Sequence, residues 1–361
     1  MAVSRYHPLR IARVVQETDE CVSVWLEVPE KEKEKFSFLP GQYLNCRAHL
    51  DGQEIRKSYS ICSVPEDPNL VIAVKRVHGG KFSTYVNKEL RPGHLLDVTP
   101  PEGKFVLPAD LAQDAVLLFF AAGSGITPVM SLIRHFLSNF PKGQAILFYS
   151  NKTSESIIFR DQLEGLKNQH MTRFSIFHVL TKELTSVDIL SGRIDAAKCK
   201  EFGNHFFDIR EISAAFICGP ELMIHDLTAG LQDMGLKPEQ IRFELFGSGF
   251  HKTASQEERE EVHHGEDKMS RVTIRIDGHE TDFQIGYRGQ PVLDVAMQSG
   301  LDVPYSCKGG VCSTCRALVV EGKVHMDIQY GLEPDEVDAG YVLTCQSHPR
   351  SERLILDYDI L

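Results

Sequence analysis

Four cysteines near the C-terminal end restrict what this chain can fold into more than any other feature. Cys307, Cys312 and Cys315 are spaced C-x4-C-x2-C, and Cys345 follows at a distance. That is the spacing by which one tight loop supplies three thiolates to a plant-type [2Fe–2S] centre and a separate segment supplies the fourth. Gly309 and Gly310 suit such a loop because they permit positive φ. They also let backbone N–H groups approach sulfur, which helps set a potential. A zinc site pairs its cysteines as two C-x2–4-C units, and only one such pair is present; zinc or purely structural thiols are the alternatives. The other cysteines, Cys21, Cys46, Cys62, Cys199 and Cys218, are scattered and are expected to be reduced and buried.

A chain of 361 residues suggests two or three domains. Met1 to Arg10 lacks an apolar core of the signal-peptide kind, so the cysteines imply a reducing, cytoplasmic setting. Ala115 to Ile133 carries no charge and approaches the length of a membrane span. Gly123, Gly125 and Pro128 interrupt it, which reads instead as a strand, a turn and a helix start, with no membrane span. The net charge of −11 argues against nucleic acid. Residues 271–361 hold 14 acidic and 8 basic side chains. Such a surface suits a basic partner, or serves solubility alone.

Residues 1–108 read as short strands. Val22 to Val28 alternates with period two, and Pro40-Gly41, Asp51-Gly52, Gly79-Gly80 and Pro92-Gly93 mark turns, which predicts a small antiparallel β-barrel. Within it, Arg56-Lys57-Ser58-Tyr59-Ser60 offers a ring face, cations for phosphate and a hydroxyl. Gly80-Lys81-Phe82-Ser83-Thr84 precedes a helix, the setting of a phosphate cradle.

Residues 109–247 change pattern. Apolar strands around 115–121, 145–149, 174–180 and 214–217 alternate with helical segments, which predicts an α/β domain with a parallel sheet. Ligands of such sheets bind at the carboxyl ends of strands, where Gly123-x-Gly125-x-x-Pro128, with Thr127 inside it, and Cys218-Gly219-Pro220 are placed. The first loop is not the G-x-G-x-x-G fingerprint, yet it can bring backbone close to a pyrophosphate in the same way. Lys152 and Arg160, after the second strand, favour a 2′-phosphate and hence NADPH, with NADH possible. Residues 248–270 read as a glutamate-rich linker containing His263 and His264. In residues 271–361 a hairpin, a helix from Val292 and the cysteine loop follow the β-grasp order of a ferredoxin.

Together these segments resemble the ferredoxin–NADP reductase superfamily over nearly the whole chain. The motifs are Tyr59-Ser60, Gly80-x-Phe82-Ser83, Gly123-x-Gly125-x-x-Pro128, Cys218-Gly219-Pro220-x-x-Met223 and the cysteine loop. The domain order resembles the reductase components of multicomponent oxygenases, above all the reductases of phenylacetyl-coenzyme A epoxidases in phenylacetate catabolism. The phrases Ala121 to Pro128, Phe216 to Pro220 and Leu332 to Glu336 carry that likeness. The resemblance implies that Tyr59 and Ser60 face FAD and that Gly80 to Thr84 hold its pyrophosphate. It implies that Gly123 to Thr127 and Cys218 to Pro220 hold the nicotinamide nucleotide, and that Glu244 and Phe246 lie near the flavin. The family's Arg-x-Tyr-Ser motif has Lys57 in the arginine slot, with Arg56 one place early, and lysine lacks the bidentate fork. Either cation is a candidate for the phosphate.

The chemistry implied is electron flow from NADPH through FAD and the cluster to an oxygenase or hydroxylase partner. Ser60, Cys218 and Glu244 would line the flavin–nicotinamide contact, with Cys218 packing rather than attacking. Two alternatives stand beside the epoxidase: another aromatic or steroid hydroxylase as acceptor, and a redox-sensing flavoprotein that delivers no electrons.

Overall fold

The computed structural model describes residues 6–183, 185, 187–246 and 268–360. They form two compact units, one ending at Phe246 and one comprising the described residues from 268 onward. The expected linker, with His263 and His264, lies outside the described residues except at its end, where Met269 and Ser270 already belong to a strand.

The first unit begins with β1 (His7–Thr18), β2 (Cys21–Glu27), β3 (Tyr43–Leu50), β4 (Gln53–Ser60), β5 (Leu70–Lys75) and β6 (Leu95–Val98). They lie antiparallel in the order β4-β3-β6-β1-β2-β5. A bridge from Ile61 to Ile72 joins the end of β4 to β5 and closes the sheet on itself. Asp51 and Gly52, both at positive φ, make the two-residue turn between β3 and β4, as the right-handed strand twist requires. Period-two alternation turns Leu9, Ile11, Val24, Leu26, Leu44 and Ile72 into the barrel core. Helix α1 (Lys81–Lys88) adds Phe82 and Val86 to it.

Next come β7 (Val116–Ala122), α2 (Ile126–Asn139), β8 (Gln144–Asn151), α3 (Arg160–Gln169), β9 (Phe174–Leu180), α4 (Ala196–His205), β10 (Ile212–Gly219), α5 (Glu221–Asp233) and β11 (Ile241–Leu245). All five strands are parallel, in the order β11-β10-β7-β8-β9. The fifth, β11, escaped the pattern reading because Arg242 and Glu244 break its apolar run. The uncharged stretch from Ala115 divides into β7, one 3₁₀ turn and α2. Among the described residues no helix is long and apolar enough to cross a membrane. Barrel and parallel sheet share a core: Cys62, Val71, Ala73 and Phe105 pack in one cluster with Phe119, Ile126, Val129 and Phe216. The Ser131 hydroxyl donates to the Ser63 carbonyl at 2.5 Å. Arg134 grips Asp67 in a two-pronged pair at 2.6 and 2.9 Å. Packing and bidentate pairing together hold α2 against the barrel.

The second unit contains β12 (Met269–Ile276), β13 (His279–Gly286), α6 (Val292–Gln298), β14 (Arg316–Glu321), β15 (Val324–Met326), α7 (Pro334–Asp338), β16 (Tyr341–Leu343), β17 (Ser347–Pro349) and β18 (Arg353–Asp357). Its main sheet runs β13-β12-β18-β14-β16, with β12 and β18 parallel. Val292, Leu293 and Ala296 of α6 share a core with Val272, Ile274, Leu354 and Leu356 of the sheet. This is the β-grasp arrangement.

Candidate redox centres: a four-cysteine loop and a nucleotide crevice

The cysteine loop leaves α6 and enters β14, and its shape depends on two residues in the left-handed region, Lys308 at φ +53° and Gly310 at φ +71°. A Cβ on Gly310 would come within 2.8 Å of Ile328 Cγ2 and 2.9 Å of Gln346 Cγ. Gly331 abuts the Cys312 backbone, where a Cβ would lie 2.7 Å from the carbonyl oxygen. Lys308 pairs with Asp294 of α6 at 2.9 Å, which ties the loop to the helix. Cys312, Cys315 and Cys345 are buried and Cys307 is half-buried.

The four sulfurs form one connected set. The Cys312 and Cys345 sulfurs act on Cys307, and the Cys345 sulfur also acts on Cys315. These neighbours hold Cys307 well below an ordinary thiol and drive Cys312 and Cys345 upward. The Gly309 N–H donates to Cys307 Sγ at 3.3 Å and the Gln346 side chain to Cys345 Sγ at 3.8 Å. Donors of this kind favour thiolates and tune a cluster. Among the described residues, no three His, Cys, Asp or Glu side chains enclose a single ion. Three sulfurs from one loop in C-x4-C-x2-C spacing and a fourth from a separate segment fit a plant-type [2Fe–2S] centre better than the paired C-x2–4-C units of a zinc site. The donor set therefore suits the cluster. The five remaining cysteines are all buried and free of disulfides, and burial pushes Cys21 and Cys199 up to about 12.

In the first unit the strand order reverses between β7 and β10: the chain proceeds outward through β8 and β9, then returns to the other side of β7. The crevice at such a reversal is where open α/β sheets bind ligands. Both glycine loops lie there. Gly123 has φ +53°, and a Cβ on Gly125 would sit 2.1 Å from the Cys218 carbonyl oxygen. A Cβ on Gly219 would meet Met223 and Ala122 at 2.4 and 3.0 Å. Only glycines allow these two loops to touch. Thr127 and Pro128 are buried in the first turn of α2, where the Thr127 hydroxyl donates to the Ser124 carbonyl at 3.0 Å. Pro220 is exposed at the start of α5.

Ser60, Cys218 and Glu244 converge at this crevice from three strands. Cys218 and Glu244 are register partners in β10 and β11. The Ser60 hydroxyl donates to Glu244 Oε2 at 3.2 Å across 184 positions of sequence. Glu244 keeps some exposed surface as a residue, yet its carboxyl is crowded enough that burial raises its pKa to about 8. The Ser60 hydrogen bond opposes that rise and is the weaker influence. Cys218 has no exposed surface, and burial, then the nearby Glu244 charge, push its thiol well up. A protonated, enclosed thiol is a packing group and not a nucleophile. Phe246 is 41% exposed just beyond β11.

On the barrel side, alternation along β4 places Lys57 and Tyr59 on one face and Arg56 and Ser60 on the other. Tyr59 stacks on Phe82 of α1 with ring centres 5.7 Å apart. Lys57 is exposed. Arg56 is turned away: it is buried, bonds Glu54 at 2.6 Å and lies over the Tyr6 ring. In the structure Arg56 keeps this pairing with Glu54 on the face of β4 opposite Tyr59. Gly80 caps α1, Lys81 is exposed and reaches Asp51 at 3.5 Å, and Thr84 is half-buried. The Ser83 hydroxyl is already engaged, accepting from the Val77 N–H at 3.1 Å. Any anion there would meet the free backbone N–H groups of the first helical turn.

Lys152 and Arg160 are both exposed beyond the end of β8, and neither forms an ion pair among the described residues. Pattern reading missed Lys75, at the end of β5. Its Nζ lies 3.8 Å from where a Gly123 Cβ would be, so a barrel cation faces the glycine loop of the sheet. A lysine closing an apolar strand was the only local signal.

Three family models match the chain: an oxidoreductase FAD-binding domain over residues 11–107, an oxidoreductase NAD-binding domain over 119–228 and a 2Fe-2S iron-sulfur cluster binding domain over 274–350. The chain is 37% identical to one of the subunits of the 1,2-phenylacetyl-CoA epoxidase of Escherichia coli K12 over 357 residues, 99% of each chain. It is 31% identical to the ferredoxin reductase component of a 3-ketosteroid-9-alpha-monooxygenase of Rhodococcus rhodochrous, spanning 98% of this chain and 97% of that one. Phthalate dioxygenase reductase shares the fold over 98% of both chains at 23% identity, with a TM-score of 0.59. The chain therefore belongs to the three-domain reductases of the ferredoxin–NADP reductase superfamily, which use FAD and a [2Fe–2S] cluster to carry electrons from NAD(P)H to an oxygenase component.

Proposed function

We propose that the oxygenase served by this reductase is a phenylacetyl-CoA epoxidase. The likeness to the epoxidase protein, 37% over 99% of both chains, carries the reading, against 31% for the ketosteroid system. Purified protein mixed with epoxidase components, phenylacetyl-CoA and NADPH should consume NADPH in step with epoxide formation. Coupling to a ketosteroid hydroxylase, with none to the epoxidase, would reassign the partner and leave the reductase activity standing. We place the protein in the cytoplasm, in keeping with its free, buried cysteines.

FAD accepts a hydride and a [2Fe–2S] cluster accepts single electrons, so bound together they turn a two-electron donor into a one-electron supply. The chain's own residues divide the remaining work. Tyr59 offers a ring face to the flavin, while Lys57 and the first turn of α1, from Gly80 through Lys81, Phe82, Ser83 and Thr84, take its phosphates. The Gly123–Pro128 loop, the Cys218–Pro220 loop and Lys75 form the nicotinamide-nucleotide side. Cys218 fills space beneath the ring contact and excludes water. Glu244, largely protonated at neutral pH, holds a proton at its carboxyl, with Ser60 Oγ hydrogen-bonded to Oε2. The pair can pass a proton to or from a ring nitrogen; donation leaves Glu244 as a carboxylate that accepts the Ser60 hydrogen bond until it is reprotonated. Phe246 flanks the same edge. Residues 1–108, 109–247 and 271–361 carry the flavin, nucleotide and cluster functions in turn.

The exposed cations Lys152 and Arg160 favour NADPH over NADH. An exposed lysine–phosphate contact is worth at most about 1 kcal/mol, so Lys152→Ala should raise the KM for NADPH by about fivefold and leave that for NADH unchanged. Equal effects on both nucleotides in steady-state assays would remove the 2′-phosphate from Lys152.

A further inference from the structure

Tyr149 carries a polar group that none of the roles above uses. It sits in β8 with no exposed surface, in a core built largely of phenylalanine, leucine and isoleucine. Phenylalanine would fill the same space, and a hydroxyl buried there is costly unless it is bonded. It is bonded: the Tyr149 hydroxyl donates to the Gly123 carbonyl oxygen at 2.9 Å. The same carbonyl accepts from the Ile126 N–H inside the turn, so two donors fix the plane of the peptide after Gly123. The Asn151 side chain and then the Ile158 backbone also act on the Tyr149 oxygen. Ile158 leads through Phe159, at φ +61°, to Arg160 at the start of α3. One hydroxyl thus touches both the glycine loop and the segment that presents the exposed cation.

We infer that Tyr149 is a positioning residue for the nicotinamide nucleotide, its hydroxyl drawing the Gly123 carbonyl inward so that the Ser124 N–H faces the ligand phosphates. The geometry follows from the trans peptide, in which C=O and the next N–H point in opposite directions across one plane. An inward carbonyl means an outward amide. Outward amides at a helix start are what bind phosphate. The inference rests on the reading that this loop holds the nucleotide.

The test uses the flavin- and cluster-loaded full chain. Tyr149→Phe should raise the Kd for NADP+, measured by titrating the flavin absorption, about tenfold, as expected for one lost buried hydrogen bond. KM for NADPH should rise in step, with kcat at saturation within about twofold and with FAD and iron contents unchanged. Ser131→Ala, which removes another buried hydroxyl from the same domain, should lower Tm to a similar extent and leave Kd alone. A Tyr149→Phe protein with reduced Tm and unchanged Kd would reduce the residue to a structural role and overturn the inference. Gly123→Asp separates this outcome from failure of the underlying reading, because aspartate tolerates the left-handed φ, and its carboxylate both crowds the loop with negative charge and takes Lys75, whose Nζ lies 3.8 Å from the Gly123 Cβ position, away from the phosphates. If it abolishes NADP+ binding while Tyr149→Phe does not change it, only the Tyr149 role falls. If it too leaves Kd unchanged, the loop is not the phosphate site and both readings fall.

Discussion

A Cys312→Ser protein is expected to keep NADPH-dependent reduction of ferricyanide at the flavin and to lose roughly a hundredfold or more of its cytochrome c reduction. The reason lies in the ligand count. Even groups that only orient a metal ligand change affinity by about 10–100-fold, and Cys312 is one of the four ligands we propose, on two separate segments. It is also buried against Gly331, and the five cysteines outside the set of four all lie in the other unit. The flavin and nucleotide residues lie in the other compact unit, so their chemistry should survive. Iron and sulfide per chain, measured with the two assays, check the prediction. Full cytochrome c reduction by a cluster-free variant would show that the flavin reaches external acceptors directly.

Glu244→Gln should slow NADPH-dependent flavin reduction by about a hundredfold, the lower end of what a positioned acid–base group contributes. The pH dependence is the sharper signature. Burial raises the folded carboxyl from 4.5 to about 8. If the protonated acid is the working form, the wild-type rate falls as pH rises through about 8, and the glutamine variant shows no such step. Stability should follow the same proton. The unfolded chain releases it near 4.5 and the folded chain holds it to about 8, so this group's contribution is full at acid pH and declines steadily between those limits. Glu244→Gln removes the decline, and its Tm relative to wild type should improve with rising pH. Stopped-flow rates and thermal melts from about pH 5 to about pH 9 read both effects. A glutamine variant with wild-type rates across that range would exclude Glu244 from the proton path.

Much of this was legible in order along the chain. The cysteine spacing points to a metal centre because three of the proposed ligands lie in one loop of nine residues, Cys307 to Cys315, where covalent connection alone keeps them close. Strand and helix patterns of the barrel and sheet were legible for the same reason, since apolar periodicity is local. β11 was not, because Arg242 and Glu244 break its apolar pattern. Arg56 and Lys57 were equivalent on paper, and the pleat of β4 together with the pairing of Arg56 with Glu54 separates them.

The sequence by itself determined which chemical parts this protein holds: four thiolates, two glycine loops at strand ends and a tyrosine–serine strand. Tertiary structure alone decided which parts meet. Ser60 reaches Glu244 across 184 positions, Lys75 faces Gly123, and Tyr149 seizes the Gly123 carbonyl, because strand order reverses between β7 and β10 and the barrel packs against that sheet. Such contacts depend on which strands are neighbours, and no local pattern of residues encodes a neighbour that lies far away along the chain.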